Sequence, residues 1–106
     1  MTTFNDREKA FEDKYKHDQE LQFRVEVRRN KLLGLWVAEL LGKSGAEAEA
    51  YAKEVVAADF EEPGDADLVR KILGDTEKAG CDISEHRLRK KMEEVLAKAK
   101  DQVMKE

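Results

Sequence analysis

Leu88, Met92, Val95, Leu96, Ala99 and Val103 fall on one face of a helix, and that spacing constrains this chain more than any other feature. A strand would bury every second residue and need a partner strand, whereas this pattern follows a period of 3.6. Ser84 stands where a serine hydroxyl can cap the helix start. The composition repeats the message. Charged residues make up 42% and hydrophobic residues 41%, with one proline and six glycines. Amphipathic helices with few breakers produce that balance, and a chain of 106 residues is one domain with one modest core.

Breaks at Gly42-Lys43-Ser44-Gly45, at Pro63-Gly64-Asp65 and at Gly80-Cys81-Asp82 cut residues 18–106 into four segments. In the second, Ser44 and Glu47 form a capping-box pattern ahead of a helix over 46–58, with Tyr51, Val55 and Val56 toward the core. That helix should stop near Glu61, because Pro63 cannot continue it and disfavours helix at Glu62. In the third, Asp65 or Asp67 caps a helix carrying Leu68, Val69, Ile72 and Leu73, closed by Gly80. The first segment, 18–42, is ambiguous at its start. Leu21, Phe23, Val25 and Val27 alternate like a strand, yet Leu21, Val25, Leu32, Trp36 and Leu40 also share a helical stripe. Phe23, Val27, Leu33, Val37 and Leu41 share the neighbouring one. No second strand is available, so the segment reads as helix. Gly34 within it costs about 1 kcal/mol relative to alanine, which suggests a close helix–helix approach there. Trp36 and Tyr51 read as core residues.

The expected fold is therefore all-α, a four-helix bundle over residues 18–106 with a mobile, marginally helical N-terminal arm over residues 1–17. Thr3 with Asp6 resembles a helix start, and Phe4, Phe11 and Tyr15 share one face at spacings of seven and four. Helices below about 12–15 residues are marginal alone in water. With so little apolar surface, the arm either frays in the free protein and folds on a partner, or lies as a fifth helix across its own bundle.

Catalytic and nucleic-acid readings are weak. The net charge is −4, and residues 44–82 carry 11 acidic against 4 basic groups. Nucleic-acid affinity comes from neutralised phosphates, so such a chain is a poor candidate for it. Arg87, Arg89, Lys90 and Lys91 read as a solvated helix face. Gly42-Lys43-Ser44 is no phosphate loop, since Val37 stands where the first glycine is required and a helix precedes the motif. His17 and His86 have no ligand-spaced partner for a metal. The carboxylates lie on polar faces rather than in a water-excluding pocket. The single Cys81, beside Asp82 and Glu85, forms no internal disulfide and fits a reducing compartment. The start MTTFNDREKAFEDK has no apolar stretch of a signal peptide, and Lys31 to Leu41 is too short to span a bilayer. The cytoplasm is the default location.

The stretch RRNKLLGLWVAELLGKSGAEAEAYAKEVVAADFEEPGD, Arg28 to Asp65, resembles the central signature of the zeta subunits of bacterial F-type ATP synthases, and TTFNDREKAFEDKY, Thr3 to Tyr15, resembles their inhibitory N-terminus. The resemblance implies an inhibitor of ATP hydrolysis, not an enzyme. It implies that the arm enters a catalytic interface between the alpha and beta subunits as a helix, reaches toward the gamma subunit and blocks rotation. The protein would then sit at the inner membrane only through the synthase, and be monomeric when free. The inhibitory segment carries over to Thr3, Phe4, Asp6, Arg7, Glu8, Lys9, Ala10 and Phe11, with Tyr15 beyond them. Phe4 and Phe11 would be apolar anchors, and Arg7 and Lys9 would pair with acidic groups of the partner. Asn5 departs from the aspartate more usual there. No cofactor is implied. Some members of that family bind ATP or ADP weakly on the bundle, and no nucleotide motif in this chain adds to that. The alternatives are a nucleotide-binding regulatory module and a generic helical adaptor.

Overall fold

The computed structural model describes residues 3–59 and 64–106, with side chains from Asp6 onward. Five helices follow one another: α1 (Thr3–His17), α2 (Gln19–Leu40), α3 (Gly45–Ala58), α4 (Ala66–Lys78) and α5 (Glu85–Met104). No described residue is in a strand. The strand-like alternation at the start of α2 thus yields to the helical stripe, and Phe23, on the strand-like register, is 53% exposed.

The longest helix, α2, is the spine, packed against α3 on one side and α5 on the other. Its Leu33, Val37 and Ala38 meet Tyr51 and Val55 of α3, Leu68, Val69 and Ile72 of α4, and Leu88, Met92 and Val95 of α5 in the main core. A second cluster at the other end joins Leu21 and Val25 to Ala99 and Val103. Gly34 is what lets α2 and α3 close. A Cβ built there would lie 2.7 Å from the Ala52 Cα and 3.2 Å from the Val55 Cβ. Tyr51 is buried as expected, while Trp36 is half-buried with Arg87 and Lys91 over its ring.

The caps differ from one another for local reasons. The Ser84 hydroxyl accepts from the Arg87 amide at 3.0 Å, and Asp18 caps α2 by accepting from Leu21 at 3.1 Å. Ser44 occupies the N-cap of α3 with extended backbone, but its side chain makes no cap hydrogen bond, so the expected capping box is not formed. Asp65 occupies the N-cap of α4 and also makes no cap bond. Its carboxylate is taken by Arg29 of α2, whose Nη2 and Nη1 donate to it at 2.8 and 3.3 Å. Helix α3 ends at Ala58 with Asp59 as its C-cap, short of Glu61. Pro63 and Glu62, expected to stop it, lie outside the described residues. Gly42 and Gly80, with φ of 77° and 75°, end α2 and α4 in the left-handed region that glycine enters without strain.

Candidate partner-binding site on the N-terminal helix

Helix α1 begins with Asp6 in its first turn and ends with Lys14, Lys16 and His17 in its last. Those charges complement the positive and negative ends of a helix dipole, so local electrostatics favour the helix. A single residue, Asp18, separates it from α2. There the Asp18 amide donates to Lys14 O at 2.9 Å, and the Gln22 side chain donates to Tyr15 O at 2.6 Å. These bonds tie the two helices across a one-residue junction.

The expected site residues divide into two groups. Asp6, Arg7, Glu8, Lys9 and Ala10 are all exposed. Phe11 and Tyr15 are half-buried, stacked with ring centres 6.4 Å apart, and packed against the cluster of Leu21, Val25, Ala99 and Val103. The side chains of Thr3, Phe4 and Asn5 lie outside the described residues, although Thr3 to Asn5 are helical. The residues that would pair with a partner's charges therefore face solvent, while two of the expected apolar contacts lie on the chain's own body.

Lys100 of α5 is the residue that sequence reasoning missed. Its ammonium lies 4.4 Å from the centre of the Tyr15 ring and 3.4 Å from Glu12 Oε1. Nothing in the local pattern marks it, because it reads as one more lysine beside the stripe residue Ala99. Between α1 and α5 lies an open groove of about 620 Å³ lined by Glu8, Phe11, Glu93, Leu96, Lys100 and Met104. Among the described side chains of α1, those docked on the rest of the chain are Phe11, Glu12 and Tyr15.

The other candidate chemistries find little support in the geometry. His17 and His86 are exposed, and Cys81 is a free, half-buried thiol. Lys43 and Ser44 lie between two helices, with no strand before them. Arg89 pairs with Glu85 at 2.8 Å on an exposed face, whereas Lys91, 3.3 Å from Glu94, is half-buried and covers the Trp36 ring together with Arg87, so the expected solvated face is only partly one.

Against known families, the description "ATPase inhibitor subunit zeta" matches residues 1–102. The chain belongs to that family. The zeta match spans all of α1 to α4 and most of α5. Comparison with curated proteins finds no match. A protein whose solution NMR structure is known is 56% identical, with a TM-score of 0.72 over 80% of this chain and 96% of that one. No helix among the described residues is long and apolar enough to cross a membrane.

Proposed function

We propose that this chain inhibits ATP hydrolysis by the F-type ATP synthase by inserting α1 into a catalytic interface between the alpha and beta subunits, where it blocks rotation of the gamma subunit. It is a regulatory protein without catalysis of its own. The observation that carries this reading is the division within α1: Asp6 to Ala10 are exposed, while Phe11 and Tyr15 are only half-buried on the bundle.

Magnitudes favour exchange of one docking surface for another. Full burial of such a side chain is worth about 1.5–3 kcal/mol, so two half-buried rings contribute roughly that much together. A cation–π contact at a partly exposed site adds about 0.5–1 kcal/mol, and a surface ion pair at most about 1. The bundle therefore holds α1 by about 2–5 kcal/mol before any ordering cost. An interface that encloses both rings completely and pairs Arg7 and Lys9 exceeds that. The residues at stake are Thr3, Phe4, Asp6, Arg7, Glu8, Lys9, Ala10, Phe11 and Tyr15.

A photo-crosslinking amino acid in place of Lys9 tests the reading directly. Irradiation with the purified catalytic sector should join this chain to the alpha or beta subunit. Cross-links confined to α5 of the same chain, with the sector present in excess and hydrolysis inhibited, would exclude α1 as the inserted element.

A further inference from the structure

The connection between α1 and α2 is unlike the other three. A glycine of positive φ breaks the chain between α2 and α3, α3 and α4, and α4 and α5, at Gly42, Gly64 and Gly80 with φ of 77°, 86° and 75°. Between α1 and α2 only Asp18 leaves the helical conformation, with φ of −103° and ψ of 104°. Its neighbours Lys14 to His17 and Gln19 to Gln22 include no glycine or proline, and Lys, Gln, Glu and Leu are strong helix formers. Aspartate is a poor residue inside a helix and a strong one at an N-cap. The corner therefore rests on one side chain.

The hydrogen bonds there are those of a helix with three rungs missing. The Asp18 amide donates to Lys14 O at 2.9 Å and the Gln22 amide to Asp18 O at 3.0 Å, so the ladder runs into Asp18 and out of it. Gln19, Glu20 and Leu21 carry the starting amides of α2, with no helical carbonyl behind them. Side chains stand in for part of what is missing. Asp18 Oδ1 accepts from the Leu21 amide at 3.1 Å, and Gln22 Nε2 donates to Tyr15 O at 2.6 Å. Turning Asp18 to helical angles, by about 40° in φ and 145° in ψ, would pair those three amides with the Tyr15, Lys16 and His17 carbonyls. The docking of α1 opposes that turn, through the half-buried Phe11 and Tyr15 rings and the Lys100 contacts at 4.4 and 3.4 Å.

We propose that Asp18 is a one-residue hinge on which α1 swings from α5 into line with α2, making Thr3–Leu40 a single helix about 57 Å long. In that form α1 is propagated from an existing helix and needs no nucleus of its own, so it stays helical off the bundle. Asp6 to Tyr15 are then presented already ordered, which lowers the ordering cost in an enclosing interface. This deepens the inhibitory reading and rests on it for its bearing on inhibition; the hinge itself does not.

Spin labels on Glu8→Cys and Glu93→Cys, both at exposed positions, in the full chain with Cys81→Ser measure the swing without any partner. The arm from Asp18 to Glu8 is about 15 Å long, so straightening should add a population about 10 Å or more longer. Asp18→Ala removes the cap and supplies the best helix former, which should raise the straight-to-bent ratio about 5–50-fold. With Lys100→Ala added, the longer distance should become the major one, and amide exchange at residues 19–21 should slow at least about twofold. Asp18→Gly, which caps but does not favour a helix, should keep the shorter distance. An unchanged distance in the double variant would overturn the hinge. So would equal lengthening in Asp18→Gly, or faster exchange at residues 19–21, because α1 would then be loosely tethered and not straight. Against the purified catalytic sector, the double variant should inhibit with an apparent affinity at least about tenfold above the parent's. A straight variant that inhibits no better would overturn the link to inhibition. No inhibition by any form, the parent included, would sink the inhibitory reading and leave the distances to judge the hinge.

Discussion

Lys100 Nζ stands 4.4 Å from the centre of the Tyr15 ring and 3.4 Å from Glu12 Oε1, so one side chain of α5 grips two residues about a turn apart on α1. This is the one cationic contact between α1 and α5 among the described residues, and it joins segments more than eighty positions apart in sequence. It makes the docking of α1 adjustable by a single substitution outside α1.

Lys100→Ala removes both interactions and leaves the main core untouched. Together they are worth about 0.5–2 kcal/mol. Amide exchange in residues 6–17 should quicken roughly 2–30-fold, with the Tm of α2 to α5 unchanged within about 1–2 °C. If inhibition requires α1 to leave α5, the apparent affinity for the catalytic sector should rise by a similar factor, because more of the free protein is competent. Hydrogen exchange and an inhibition titration on the same variant check the two halves separately.

Gly34→Ala should destabilise the protein although alanine is the better helix former. The intrinsic preference favours alanine by about 1 kcal/mol. The added Cβ would meet the Ala52 backbone at 2.7 Å, with Ala52 and Val55 Cβ atoms at 3.2 Å, so α2 and α3 must part. Overpacking of this kind costs about 1–3 kcal/mol, and urea unfolding should show a net loss.

Tyr51→Phe should cost about 1.5–3 kcal/mol, since the buried hydroxyl donates to Asp75 at 2.7 Å. Burial of Asp75 works against its ionisation, but hydrogen bonds from Tyr51 and Lys71 and the charges of Lys71 and Lys78 outweigh it and hold the carboxyl below its ordinary value of 3.8. Stability from this carboxylate is present above pH 3.8 and lost as pH falls through the lower folded value. Burial and the Asp75 bond push the Tyr51 hydroxyl well above its ordinary 10.0, so stability also declines once pH passes that value. The phenylalanine variant should show a flatter profile at both ends.

Glu26 gives the opposite sign for a carboxyl group. Its folded pKa is raised, so its contribution is fully present below its unfolded value of 4.5 and is lost as pH rises through the folded one. Glu26→Gln should therefore be more stable than the parent at pH 7, with the difference vanishing below about pH 4. Thermal melts across that range measure it.

What the sequence disclosed follows how local the determinant is. The cap at Ser84 and the stripe of α5 need only neighbours along the chain, and both stand as read. Gly34 was legible because a glycine amid helical residues demands a reason, and Ala52 supplies it. The cap at Asp65 failed because Arg29, 36 positions away, competes for the same carboxylate. Nothing along the chain marks Arg29, which is buried. The candidate site shows the same division. Asp6 to Ala10 were found through resemblance to a family and are exposed, whereas Lys100 matters only through a contact that folding creates.

The role assigned to α1 rests most directly on ATP hydrolysis by the isolated catalytic sector, measured with the full chain and with residues 18–106 alone. The account predicts inhibition by the full chain and none by the shortened one, with circular dichroism showing that α2 to α5 remain folded. Equal inhibition by both would contradict it, and would move the inhibitory surface to the bundle.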